Sequence, residues 1–318
     1  MQTRRLGNSD LNLTPVGFGT WAIGGGEWGM GWGHQAEKDS IESILEGLEA
    51  GINWIDTAHA YGFGVSEEMV GKAVKEWGQD VIIATKCGVL PDENNFPKRY
   101  TSRKTITEEV EGSLRRLQVE VIDLYQIHFP LRPRNFKYWV DALADATEDG
   151  LVKAVGVSNF TSEQTKQTHE ILSGRGIQLA SNQIGYSLLN RSPESNGILD
   201  ACKELGVSVI SYGPLAEGLL TGKYGPHNPP PLPRRLRWAG RRLKVLPPLI
   251  SLMKDIGRAH QSTPSQVALN WLIKRDTLPI PGVKSARQAA DNAAAMNWNL
   301  TESEFDALNR ATINFLPD

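Results

Sequence analysis

Short apolar runs alternate along this chain with stretches in which apolar residues recur at helical spacing. The runs cover 16–19, 52–55, 81–85, 121–127, 152–157, 179–183, 207–212 and 278–281, lengths that suit strands buried on both faces. Between them, Ile41, Ile44, Leu45 and Leu48 form an amphipathic stripe that Gly51 is placed to end, and Ile106, Val110, Leu114 and Leu117 form another. Thr161 with Gln164, Thr263 with Gln266 and Thr301 with Glu304 have the spacing of a capping box, in which each side chain satisfies an orphan backbone donor. Eight strand–helix units with right-handed crossovers predict a closed barrel of alternating strands and helices, preceded by a β-hairpin and followed by extra C-terminal helices. An open doubly wound sheet has the same periodicity. No repeat and no break in composition divides the chain, so residues 1–318 are expected to form a single domain.

Two segments interrupt the alternation. Residues 24–33 are rich in glycine and tryptophan, and Gly24, Gly26 and Gly29 match G-x-G-x-x-G. No apolar helix follows, which favours a loop at the barrel mouth over a dinucleotide fingerprint. Residues 213–248 read as a long loop holding Pro229, Pro230 and Pro231 and seven Arg or Lys residues from Lys223 to Lys244. Such a loop is either a solvated charged surface or a strap over an anionic ligand.

Bulk properties narrow the partners. A net charge of −2 over 318 residues gives no reason to expect nucleic acid or an anionic membrane. Cys87 and Cys202 cannot build a disulfide framework, and no Cys/His spacing suggests zinc, so no metal is expected. No apolar stretch follows the basic N-terminus or nears the roughly 18 residues of a membrane span. The expectation is a cytoplasmic protein acting on a small molecule, with its oligomeric state unspecified.

Candidate chemistry sits at the ends of the runs. Asp56, Lys86 and His128 each follow a separate apolar run, and Tyr61 lies five residues beyond Asp56. In one parallel barrel those strand ends converge at a single mouth. A tyrosine hydroxyl, with a reference pKa near ~10, is a weak acid. The Lys86 ammonium is expected to lower that value, with Asp56 holding the lysine charged. His128 can donate to a substrate oxygen. Together they polarise a carbonyl and protonate the alkoxide as it forms. None is a strong nucleophile, so hydride from a nicotinamide is the natural complement. Taken singly, the same residues also read as a rim ion pair, a packed tyrosine and a structural histidine. A metal-dependent hydrolase using Asp56, His59 and His128 is a further reading, short of the ligands such a site needs.

The surrounding motifs are Gly17-Phe18-Gly19-Thr20-Trp21, the stretch from Asn53 through Asp56 and Tyr61 to Gly62, Ser66-Glu67-Glu68 with Gly71-Lys72, and Thr85-Lys86. They continue with Asp123 through His128 and Pro130, Gly156 through Phe160, Asn182-Gln183, Ser211 through Tyr224, and Ile280-Pro281-Gly282 through Asn292. In this order the chain resembles the aldo-keto reductase family over essentially its whole length. The resemblance implies a (β/α)8 TIM barrel that binds NADP(H) without a Rossmann motif and reduces aldehydes or ketones, sugar-derived or small reactive carbonyls among them. It places the catalytic tetrad on Asp56, Tyr61, Lys86 and His128, with Tyr61 as proton donor. Ser158, Asn159 and Gln183 match the carboxamide site, and Tyr212 the ring that stacks on the nicotinamide. Gly213, Leu215 and Gly218 match the pyrophosphate cradle. Gly282, Lys284, Ser285, Arg287 and Gln288 fall in the loop for the adenosine 2′-phosphate, and Asp291 and Asn292 lie near the adenine. Gln288 stands where many members carry arginine, yet NADP(H) is expected to be preferred over NAD(H). Trp21, Phe63 and Phe129 are candidates for the substrate pocket, Arg132 and Arg134 read as solvated, and Cys87 reads as an inert thiol. The alternative within the family is an NADPH-binding regulatory subunit with vestigial turnover.

Overall fold

Glycines close the barrel. In the computed structural model, Gly17 N–H donates to Pro279 O at 3.0 Å, Gly19 N–H donates to Pro281 O at 3.1 Å, and Gly19 bridges Gly282 in parallel. A Cβ on Gly17 would lie 2.3 Å from the Trp54 ring, and one on Gly19 would lie 2.8 Å from Ile280 O, so only glycine permits these approaches. The structure describes residues 2–26, 31–99, 103–130, 136–225, 227–230, 232 and 241–313. The sequence reading of Gly29, Pro231, Arg132 and Arg134, and of the arginines at 233–240, falls outside them.

The barrel strands are β1 (Phe18–Gly19), β2 (Trp54–Asp56), β3 (Ile82–Cys87), β4 (Ile122–Ile127), β5 (Val152–Ser158), β6 (Leu179–Gly185), β7 (Ser208–Tyr212) and β8 (Leu278–Ile280). They pair in parallel in chain order, giving one eight-stranded sheet. Every residue of β2 and β4 is buried, as a sheet covered on both faces requires. Among the described residues, six helices lie between successive strands: α1 (Glu37–Glu49), α2 (Val65–Trp77), α3 (Arg103–Leu117), α4 (Phe136–Glu148), α5 (Ser162–Ser173) and α6 (Ile198–Leu205). Each expected strand and both helical stripes are therefore present.

The N-terminal hairpin, Arg4–Arg5 against Asn12–Leu13, buries Leu6 and Leu13. Its Gly7 N–H reaches Ser208 Oγ at the start of β7, at the barrel end opposite the strand C-termini. A second hairpin, Val89–Pro91 against Pro97–Arg99, follows β3 on the mouth side and was not foreseen from the sequence.

The reading of 213–248 as one long loop is corrected. Ala216–Thr221 forms a short 3-10 segment, and residues from 241 onward belong to α7 (Arg241–Ala259), with Pro247 and Pro248 inside it. Prolines in a helix interior give up hydrogen bonds. Burial of Leu246, Leu249, Ile250, Met253 and Ile256 against Leu219, Leu220 and Trp271 compensates for that loss. Three further helices follow: α8 (Pro264–Lys274), α9 (Ala286–Ala293) and α10 (Glu302–Ala311). Thr161 and Thr301 form complete capping boxes. At α8 only half forms: Thr263 Oγ1 accepts from Gln266 N, but the Gln266 amide donates to Asp291 Oδ1 at 2.8 Å instead. Among the described residues, no helix is long and apolar enough to cross a membrane.

Candidate active site

The barrel brings Asp56, Tyr61, Lys86 and His128 together. Asp56 ends β2, Lys86 sits one residue before the end of β3, and His128 follows β4 directly. Lys86 Nζ donates to Asp56 Oδ1 at 2.6 Å, to Thr57 O at 2.8 Å and to Tyr61 Oη at 3.2 Å. An ammonium has three donors, so all three are used. Asp56 and Lys86 are each 1% exposed.

Tyr61 is held by the turn between β2 and α2. Its following residues Gly62, Phe63 and Gly64 have φ of 69°, 51° and 108°, and a Cβ on Gly62 would lie 2.2 Å from Gly24 O. This reversal presses the tyrosine backbone against the segment carrying Trp21. Ser66 Oγ bonds Thr20 Oγ1 at 2.7 Å and Thr57 Oγ1 at 2.9 Å, tying β1, β2 and α2 at the turn. Behind β3, the fully buried Glu67 accepts from Thr85 Oγ1 and from Arg116 Nε, each at 2.6 Å.

Electrostatics separate the roles. Burial opposes the charge on Lys86, but Asp56 and Tyr61 together outweigh it and raise the lysine above its ordinary value. Burial first, with the Asp56 charge behind it, raises Tyr61 more than the neighbouring ammonium lowers it, so the hydroxyl lies above 10. The expected lowering of the tyrosine is thereby corrected: Lys86 acts in the predicted direction, but desolvation of the phenolate together with the Asp56 charge outweighs it. Burial first, then Lys86 and Arg99, depress His128 well below 6.5, leaving a neutral imidazole. Its Nδ1 is buried without a protein partner, and its ring stacks on Phe129 at 4.8 Å and 8°. Arg99 of the second hairpin lies 4.4 Å over Phe129, a placement with no sequence signal. Trp21 instead meets Trp32 edge-on at 5.4 Å.

His59 turns away from Asp56 and His128. Its Nδ1 is 3.6 Å from Glu109 Oε2, and both Glu109 oxygens accept from Gly88 N–H at 3.1 Å. Among the described residues, no group of three or more His, Cys, Asp or Glu is arranged to hold a metal ion. Cys87 is buried, and burial followed by the Glu109 charge pushes its thiol well above the ordinary range.

The expected carboxamide residues also converge. Ser158 Oγ donates to Gln183 O at 2.9 Å. Asn159, with φ of 62°, donates from Nδ2 to His128 O at 3.1 Å and accepts on Oδ1 from Tyr212 Oη at 2.8 Å. Gln183 Nε2 donates to Asp56 Oδ2 at 2.7 Å and to Gln126 Oε1 at 3.3 Å. Both of its N–H groups are thus committed, leaving Oε1 as an acceptor suited to an amide N–H. A neutral set of amide and hydroxyl groups fits a carboxamide. A cavity of about 300 Å³ opens beside Asn159 and Tyr212, bordered by Thr161, Ser162 and Asn196; none of Asp56, Tyr61, Lys86 and His128 lines it.

Farther out, Gly213, Ala216, Glu217 and Gly218 have φ of 63°, 47°, 55° and 94°, a backbone course of the kind that forms anion-binding concavities. Leu215 precedes the 3-10 segment as its cap. Ser285 caps α9, Gly282 and Arg287 are exposed, and Gln288 folds back so that its Oε1 accepts from Lys284 N at 2.8 Å. Lys284 Nζ reaches Trp32 O at 3.1 Å, so the lysine is engaged with the Gly/Trp loop. Asp291 holds Thr263 and Gln266, and Asn292 is buried.

The aldo/keto reductase family model matches residues 15–313. Chloroplastic pyridoxal reductase of Arabidopsis thaliana is 38% identical over 314 residues, 92% of this chain and 82% of that protein. NADH-specific methylglyoxal reductase of Escherichia coli (strain K12) is 33% identical over 318 residues, 94% of each protein. The solved glycerol dehydrogenase AKR11B4 from Gluconobacter oxydans superposes with a TM-score of 0.89 at 31% identity, covering 100% of this chain and 97% of that one. With a family model and such relatives matching nearly its whole length, the chain belongs to the aldo-keto reductase family and is an oxidoreductase.

Proposed function

We propose that the protein reduces small aldehydes and ketones, sugar-derived or reactive dicarbonyl compounds among them, with Tyr61 as the proton donor. The observation that carries this reading is the Lys86 ammonium shared between Asp56 and Tyr61. When bound, a nicotinamide dinucleotide supplies hydride. The protein's own part is acid chemistry and orientation. Tyr61, with its hydroxyl above 10, holds its proton at neutral pH and releases it to the oxygen as negative charge builds there. Lys86 then neutralises the phenolate at 3.2 Å, while Asp56 keeps the lysine charged. His128, a neutral imidazole, offers a hydrogen bond to the same oxygen without competing for the proton.

Ser158, Asn159 and Gln183 would hold the carboxamide, Tyr212 would cover one nicotinamide face, and the left-handed backbone at 213–218 would meet the pyrophosphate. NADPH is favoured over NADH, by a modest margin. Arg287 and the start of α9 would meet the 2′-phosphate, but Gln288 is uncharged and Lys284 would have to leave the Trp32 carbonyl.

The test is loss of NADPH absorbance with methylglyoxal, aromatic aldehydes, pyridoxal and an aldose, NADH in parallel, for the wild type and Tyr61→Phe. Turnover that collapses in the variant while dinucleotide still binds supports the assignment. Binding without turnover on any carbonyl would move the reading to a regulatory subunit. Absence of dinucleotide binding would overturn it.

A further inference from the structure

Gln126 lies in β4, two residues before His128, and is completely buried. It is in register with Lys86 on one side and Gly156 on the other, so all three occupy one layer of the barrel. Its Nε2 donates to Asp56 Oδ2 at 3.3 Å, and its Oε1 accepts from Gln183 Nε2 at 3.3 Å. The orientation is forced. A carboxylate only accepts, so both glutamines must turn N–H groups toward Asp56, and Gln126 Oε1 is then left to take the second N–H of Gln183. Gly156 supplies the room: a Cβ there would lie 3.1 Å from Gln126 Cγ and 2.4 Å from Ser181 Oγ.

We propose that Gln126 is a positioning residue that locks the Gln183 amide to the Asp56 carboxylate. It thereby joins the site that recognises the carboxamide to the row Asp56, Lys86, Tyr61 that delivers the proton. With Gln126 in place, Gln183 can rotate only by breaking two hydrogen bonds, so its Oε1 stays aimed outward. Asp56 Oδ2 keeps two donors while Oδ1 serves Lys86, which holds the carboxylate plane and therefore the ammonium that faces Tyr61. The functional part of this inference rests on the reading of Tyr61 as proton donor and Gln183 as a dinucleotide contact; the geometric part does not.

The experiment uses Gln126→Met and Gln126→Leu, both similar in volume to glutamine and made in parallel so that folding of either suffices. Selective ¹⁵N-glutamine labelling, with Gln183→Glu used only for assignment, reports the Gln183 side-chain amide in the ligand-free protein. The expected result is a Gln183 amide protected from exchange in wild type that loses at least about tenfold of that protection in the variants, the equivalent of one hydrogen bond. In steady-state reduction with NADPH, kcat should fall about tenfold while KM for the carbonyl is unchanged, and the thermal midpoint should stay close to wild type. The pH dependence of alcohol oxidation should move upward, because Asp56 with one donor fewer acts more strongly on Tyr61.

Unchanged Gln183 protection, or kcat within twofold of wild type, would overturn the proposal. A wild type that neither binds nor turns over dinucleotide would instead sink the functional reading, and the amide exchange would still decide the positioning role.

Discussion

Lys86 Nζ stands 2.6 Å from Asp56 Oδ1 with both side chains buried, so each charge depends on the other for its solvation. Removing one partner strands the other in a low-dielectric interior. Lys86→Met should therefore lose about 3–5 kcal/mol of unfolding free energy. Asp56→Asn with Lys86→Met, which removes both charges, should recover part of that loss. Chemical denaturation of the single and double variants checks this, and a double variant no more stable than Lys86→Met would contradict it.

Tyr61→Phe keeps the ring and its packing but removes the proton. Carbonyl reduction should fall by about 10²–10⁴-fold, the range for loss of general acid catalysis, with little change in dinucleotide affinity. The wild-type pH profile carries a sign. Burial raises Tyr61 above 10, so reduction, which needs the protonated form, should persist through neutral pH and be lost only as pH rises past the tyrosine's value. Alcohol oxidation, which needs the phenolate, should rise over the same alkaline range. Initial rates in both directions between neutral and strongly alkaline pH test the pair.

His128 is held neutral in the fold, by burial first and by Lys86 and Arg99 second. In the unfolded chain it binds a proton below its ordinary value of ~6.5, so there the unfolded state holds more protons than the native one. Stability should then rise with pH in that window, and be lost on acidification at up to about 1.4 kcal/mol per pH unit. His128→Gln should lack this component. Urea denaturation at pH 7 and pH 5 should show a smaller acid loss for the variant than for wild type.

Arg287 is exposed beside the Ser285 cap of α9, while Lys284 is engaged with Trp32 O. Arg287→Ala should lower affinity for NADPH by about tenfold, as loss of one charge-assisted contact implies, and leave NADH affinity nearly unchanged. Gln288→Arg should act oppositely. Fluorescence titration with both dinucleotides measures this, and equal loss toward both would remove Arg287 from phosphate recognition.

Much of the candidate site was legible because its information is local or periodic. A run of apolar residues ending at Asp56, Lys86 or His128 marks a strand terminus, and parallel strands of one barrel bring their termini to one mouth. The capping boxes at Thr161 and Thr301 depend on residues three apart, and both formed as spaced. At Thr263 the local rule held only by half, since Asp291, 25 residues beyond Gln266, competes for the glutamine amide.

What tertiary structure decided depends on atoms that sequence distance hides. The acidity of Tyr61 turned on whether burial and the Asp56 charge outweigh Lys86, a comparison that exists only once the hydroxyl is enclosed. Arg99 reaches Phe129 through a hairpin whose strands carry no apolar alternation, and α7 continues through Pro247 and Pro248 because its apolar face is buried on Trp271 and its neighbours. Gln126 reads along the chain as one more polar residue in a barrel strand; its role comes from Asp56, 70 positions earlier, and Gln183, 57 later. The sequence by itself determined which residues end the strands, because hydrophobic period and backbone propensity act over a few residues. The tertiary structure decided which polar atoms meet there and how strongly each holds its proton, because desolvation and hydrogen bonding depend on the whole enclosure.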